Sequence, residues 1–88
     1  MKERHLEKIV KALANRRRLA IMRYLKAEKE ATVGDIAGAI KLSFKATSKH
    51  LQILSSADVV ERNQRGLSAD YHLSPEQNPV VRTLISIL

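Results

Sequence analysis

Apolar side chains recur at helical spacing over most of the chain. Leu6, Ile9, Val10 and Leu13 stand at i, i+3, i+4 and i+7, one stripe of a first helix. Asn15 is a good N-cap for a second helix over residues 16–29, which buries Leu19, Ile21, Met22 and Leu25. Thr32 with Asp35 three residues on reads as a capping box, opening a short helix with Ile36, Ala37 and Ile40 inward. Ser43 is the next N-cap. The helix behind it carries Thr47, Leu51 and Leu54 on one face, ends near Ser56, and exposes Lys45, Ser48, Lys49 and Gln52.

The period then changes. Residues 59–63 and 68–73 are short strand candidates separated by Gln64, Arg65, Gly66 and Leu67, with Gly66 supplying the positive φ of a hairpin turn. A last helix starts either at Ser74 before Pro75 or at Asn78 before Pro79, each a cap followed by a proline suited to the first helical position. Its stripe is Val81, Leu84, Ile85 and Leu88. The fold class is mainly α with a small β-hairpin: helix, helix, helix, helix, hairpin, helix. Two short helices joined by a tight turn, the second followed by a hairpin, describe a winged helix-turn-helix. Residues 1–88 are expected to form a single such domain, with no repeat or linker.

Composition turns this fold toward an anionic partner. Lys plus Arg is 16 against 9 Asp plus Glu, a net charge of +7. Such an imbalance repels itself in a compact state, which points to nucleic acid first and a membrane surface second. At 88 residues the chain holds one small core and is too short for most enzyme scaffolds. The absence of cysteine excludes disulfides and thiolate metal sites and fits a reducing, cytoplasmic setting. No apolar run approaches the ~18 residues of a membrane span, and no signal-peptide core opens the chain. Aromatics are only 3%, without Trp, which argues against single-strand binding on a stacking platform.

In a winged helix-turn-helix the second motif helix enters the major groove, and its N-terminal residues reach base edges. Here the DNA-binding candidates on that helix are Ser43, Lys45, Ser48, Lys49 and Gln52, two cations among hydrogen-bonding side chains. The hairpin adds Arg62 and Arg65. Arg65, beside Gly66 at the tip, is expected as an unpaired cation that meets a phosphate or a narrow minor groove. No nucleophile–base pair, glycine-rich phosphate loop or paired carboxylates are visible, so catalysis has no candidate residues and no cofactor is implied. His5 with Glu3 and Glu7 is the one carboxylate–histidine cluster, read as a solvated helix rather than a metal site.

At these residues the chain resembles the ArsR-type winged-helix repressors, over about residues 10–74. Leu13, Ala14 and Asn15 followed by Arg18, Leu19, Ala20, Ile21 and Met22 look like the family's second-helix opening. Asp35, Ile36 and Ala37, then Leu42, Ser43, Ser48, His50, Leu51 and Leu54, match its helix-turn-helix. Ala57, Val59, Val60, Gly66, Tyr71 and Leu73 match the turn into the wing and the wing itself. Lys41 and Asp58 stand where the family usually has glycine. A left-handed Lys41 costs about 1–2 kcal/mol, whereas Asp tolerates that region. The cysteine pairs, or His and carboxylates of the last helix, with which many members sense metals are missing. The resemblance therefore implies a homodimeric, sequence-specific, double-stranded DNA-binding repressor without metal sensing. A winged-helix module that docks on protein or RNA is the alternative, and Lys45 and Lys49 argue against it.

Four further expectations concern single residues and the terminal helices. Arg16, Arg17 and Arg18 sit at the positive end of a helix dipole, unfavourable by about 0.3–1 kcal/mol each; they meet phosphate or form a solvated face, with Arg18 structural and paired to a carboxylate. His50 is expected in a half-buried, hydrogen-bonded packing role. Phe44 is either a thymine-methyl contact or part of the core, being i−3 from Thr47 and i−7 from Leu51, and the spacing favours partial core. Leu6, Ile9 and Leu13 with Val81, Leu84, Ile85 and Leu88 form two terminal stripes, either both buried within the protomer or paired across a two-fold axis; pairing is expected, because an 88-residue core cannot easily cover both helices and family members dimerise through them.

Overall fold

A computed structural model describes residues 2–88. Among them the chain runs α1 (Glu3–Leu13), α2 (Arg16–Glu28), β1 (Glu30–Thr32), α3 (Val33–Ile40), α4 (Phe44–Ser56), β2 (Val60–Arg65), β3 (Ser68–Leu73) and α5 (Pro79–Ile87). The strands form an antiparallel sheet in the order β1-β3-β2.

The helix starts follow the local chemistry. Asn15 accepts from the backbone N–H groups of Arg17 and Arg18 at 2.9 and 3.1 Å. Thr32 and Asp35 form the reciprocal capping box at the head of α3. Ser43 caps α4 through the Ala46 N–H, and Asn78, not Ser74, caps α5 through the Val81 N–H. Each cap satisfies a donor that the first helical turn leaves without an internal partner.

The two family-glycine positions are left-handed here. Lys41 has φ 57°, and the Leu42 N–H behind it bonds back to the Ala37 carbonyl at 3.0 Å. Asp58 has φ 59°, with its own N–H on Ser55 O and the Val59 N–H on Leu54 O, the reciprocal pair that closes a helix C-terminus. Lys29, ending α2 at φ 77° and ψ −52°, is a third strained residue that neither pattern nor resemblance marks.

Two boundaries differ from expectation. β1 is absent from the sequence reading because three residues cannot show a period, and Glu-Ala-Thr is a weak strand former. It exists because β3 offers an edge: Glu30, Ala31 and Thr32 pair with His72, Tyr71 and Asp70. The hairpin is also longer than 59–63 against 68–73 suggests. Arg65 pairs with Ser68, so the turn contracts to Gly66 and Leu67, with Gly66 alone at positive φ (60°), the type II′ pattern.

The core draws on every helix and the base of the wing. Ile9, Ile21, Met22, Leu25, Ile36, Leu51, Leu54, Val59, Val60 and Val81 lie in one cluster at 0–1% exposure. α1 and α5 both pack on α2, and Lys26 fastens α5 by donating to the Ile85 carbonyl at 2.8 Å.

Candidate nucleic-acid interface

The exposed side of α4 is built from its buried side. Thr47, Leu51 and Leu54 lock one face into the core, and the Thr47 hydroxyl donates to the Ser43 carbonyl at 2.8 Å. With that face fixed, Lys45, Ser48, Lys49 and Gln52 fall at i, i+3, i+4 and i+7, a single stripe. Lys45, Lys49 and Gln52 are exposed and Ser48 is half-buried. Neither lysine has an ion-pair partner among the described residues. Gln52, at the far end, also lines a shallow groove of about 420 Å³ with Lys8, Lys11 and Ile53. Ser43 uses its oxygen as the cap, which leaves its hydroxyl proton to donate.

Phe44 is not part of the core. It is 64% exposed, although its spacing to Thr47 and Leu51 fits the buried stripe. The reason is its place in the first turn. Cα–Cβ bonds tilt toward a helix's N-terminus, so at the first position of α4 the Phe44 side chain leans off the helix end, away from Thr47 and Leu51.

A clamp stands behind α4. Nε of Arg18 donates to the Ala12 carbonyl at 2.6 Å and Nη2 to the Lys11 carbonyl at 3.1 Å, taking up carbonyls at the end of α1. Nη1 lies 3.2 Å from Nδ1 of His50 on α4. Arg18 is thus structural, but it binds backbone carbonyls and an imidazole rather than a carboxylate. Burial first, then the positive charges of Arg18 and Arg17, hold His50 below its ordinary pKa. Arg16 and Arg17 remain exposed and free of ion pairs among the described residues.

The wing divides its two arginines. Alternate strand residues face opposite ways, so Arg62 shares the face of Val60 and Arg65 that of Glu61 and Asn63. Arg62 is exposed and unpaired among the described residues. Arg65 is not the unpaired cation expected: Nη2 lies 3.5 Å from Glu30 Oε2 and Nε 3.4 Å from Asp70 Oδ2. The missed strand β1 delivers Glu30 to this ladder. The same face carries Glu61, which meets His72 Nε2 and the Ser74 hydroxyl, each at 3.1 Å. It is therefore a carboxylate-rich surface, poorly suited to phosphate.

The terminal stripes divide as well. Ile9, Leu13 and Val81 are 1%, 8% and 0% exposed and fill the protomer's own core, so they leave the set able to meet a partner. Leu6, Leu84, Ile85 and Leu88 are partly exposed, beside Val10 at 47% and Ile87 at 72%. Among the described residues no three His, Asp or Glu side chains converge as a metal-holding group, and no helix is long and apolar enough to cross a membrane.

The profile of bacterial regulatory proteins of the arsR family matches residues 15–62, which spans the second helix, the helix-turn-helix and the entry to the wing. The chain belongs to the arsR family. Its fold is similar to the homodimeric winged helix-turn-helix DNA-binding domain of a possible ArsR-family regulator from Mycobacterium bovis, with 32% identity, a TM-score of 0.80, and 96% of this chain and 74% of that one covered. HlyU from Vibrio cholerae, in its reduced form, has 30% identity and a TM-score of 0.80 over 97% and 85% of the two chains. The transcriptional repressor PagR of Bacillus anthracis has 28% identity and a TM-score of 0.78 over 96% and 92%. No curated protein sequence matches the chain. Family and fold are those of DNA-binding transcriptional regulators, not of enzymes.

Proposed function

We propose that this arsR-family regulator is a homodimeric repressor that binds a near-palindromic double-stranded operator and occludes a promoter without a metal cofactor. The observation that carries the reading is the stripe of Lys45, Ser48, Lys49 and Gln52 on the outer face of α4, whose two cations have no ion-pair partner among the described residues. Lys45 and Lys49 hold phosphates or guanine edges, and Ser48 and Gln52 offer hydrogen bonds to bases. Ser43 donates to the flanking backbone, and Arg62 meets a phosphate from the wing. Arg65 is assigned to the wing's own ion pairs instead. Two-fold pairing is supported by the homodimeric neighbour and by the apolar surface on Leu6, Val10, Leu84, Ile85, Ile87 and Leu88. Repression is supported by PagR, named a transcriptional repressor.

The deciding experiment is a gel-shift titration with the duplex upstream of the protein's own gene and with mixed-sequence duplex, repeated at rising salt. The reading expects a preference for the former of about 10³-fold or more and affinity falling steeply with salt for both. Equal affinity for the two duplexes removes sequence-specific regulation. Absence of any salt-dependent binding removes the nucleic-acid reading and leaves protein docking.

A further inference from the structure

We infer that Phe44 is a specificity determinant that reads thymine, its ring packing on a thymine C5-methyl group in the major groove. The inference rests on the DNA-binding reading above and adds to it a residue outside the polar stripe. Phe44 is the first residue of α4 and the chain's single phenylalanine, and it is 64% exposed. It stands one turn before Ser48 and directly precedes Lys45, so it lies at the leading end of the reading surface. The N-terminal end of a recognition helix goes deepest toward the base edges, and the backward tilt of Cα–Cβ bonds aims a first-turn side chain at them.

The chemistry then narrows the target. A phenyl ring has no donor or acceptor, so it cannot read the hydrogen-bonding edge of any base pair. The one apolar group that a base pair presents in the major groove is the thymine methyl. The other exposed apolar side chains lie elsewhere. Val10, Val80 and Ile87 are on the terminal helices, Leu67 is at the wing tip, and Ile53 is two turns further along α4, in the groove toward α1. Phe44 is not among the side chains packed against the core, and the next residue of its stripe, Thr47, is itself at 0% exposure.

The test uses the full chain and a random duplex pool. The wild-type protein enriches its preferred site, which is then resynthesised with uracil replacing each thymine in turn, removing one methyl and no hydrogen bond. At one thymine per half-site the change should weaken wild-type binding about three- to fivefold, the scale of one methyl taken out of water. Phe44→Ala should bind the thymine and uracil duplexes equally, and Phe44→Leu should keep part of the preference. Both variants should unfold at the wild-type temperature, since the side chain is outside the core. An enriched site in which no thymine matters, or a Phe44→Ala protein that keeps the full thymine-over-uracil ratio, overturns this inference alone. A pool from which no sequence enriches overturns the DNA reading and this inference with it.

Discussion

Nη1 of Arg18 lies 3.2 Å from Nδ1 of His50, so α4 is tied to the end of α1 by a hydrogen bond that only neutral histidine can accept. Arginine has donors alone, which places the imidazole proton on Nε2. Protonation of Nδ1 would set two cations against each other, with Arg17 adding to the repulsion.

The pH dependence follows in sign. His50 has a lowered pKa in the folded protein and the ordinary value of 6.5 when unfolded. Its contribution to stability is complete above pH 6.5 and is lost as pH falls from there through the lower folded value. Urea denaturation at pH 7.5 and pH 5 should show wild type losing more stability on acidification than His50→Gln, which keeps an acceptor but does not titrate. His5 and His72 are present in both proteins, so the difference isolates His50. Parallel losses would remove the clamp from the pH response.

Arg65 and Arg62 should separate cleanly. Arg65→Ala strips Asp70 of its partner while that carboxylate is only 15% exposed and already has Oδ1 unsatisfied. A destabilisation of about 1–2 kcal/mol is expected, most of it recovered by adding Asp70→Asn. Arg62→Ala should leave stability within about 0.5 kcal/mol and lower the salt dependence of duplex binding by about one unit per protomer. Arg65→Ala changing the salt slope at unchanged stability would return that residue to the DNA.

How far the residues announced this architecture depends on what each signal measures. The stripes of Leu6, Ile9 and Leu13, of Ile21, Met22 and Leu25, and of Thr47, Leu51 and Leu54 recur at helical spacing, and the caps Asn15, Thr32 and Ser43 are local chemistry; both are legible without coordinates, whereas Ser74 and Asn78 are equivalent caps until the fold selects Asn78. The ladder of Arg65, Glu30 and Asp70 is not. It joins residues far apart in the chain through β1, a strand that its neighbour induces. Phe44 failed for a different reason: periodicity reports direction around a helix axis, whereas exposure at a helix end also depends on position along it. The interface set failed in part because a terminal stripe of Ile9, Leu13 and Val81 looks the same whether it meets its own core or a partner.

Lys41 should be replaceable with profit to the fold. At φ 57° and ψ 51° it holds a side chain where L-residues are strained by about 1–2 kcal/mol. Glycine removes that strain and costs about 0.5–1 kcal/mol in backbone entropy. Lys41→Gly should therefore raise stability by about 0.5–1 kcal/mol in urea denaturation. A destabilised variant would show that the Lys41 side chain contributes a contact that offsets its backbone.

The proposed dimer surface is best tested where the protomer does not need the side chain. Ile87 is 72% and Val10 47% exposed, so Ile87→Glu and Val10→Glu should leave each protomer folded by circular dichroism. In sedimentation equilibrium they should dissociate a wild-type dimer, and the monomers should lose most operator affinity because two half-sites are no longer linked. Leu84→Glu should do the same, with some loss of stability, since Leu84 also packs against the core. A wild-type chain that stays monomeric at high micromolar concentration sinks the dimer.

The polar stripe of α4 makes the sharpest distinction between reading and holding. Lys45 and Lys49 are point charges with three donors each, suited to phosphate or guanine, while Gln52 offers a donor–acceptor pair matched to an adenine edge. Gln52→Ala should cost about 1–3 kcal/mol on the preferred duplex and little on mixed sequence. The Lys45→Ala, Lys49→Ala double variant should weaken both and flatten the salt dependence by about two units per protomer if both lysines meet phosphate. Gln52 complicates its own case, because it also lines the groove shared with Lys8 and Lys11. Equal losses on the two duplexes after Gln52→Ala would place it in that groove rather than at a base. Unchanged binding in the double lysine variant would take α4 out of the interface, since no other exposed pair on its outer face carries charge.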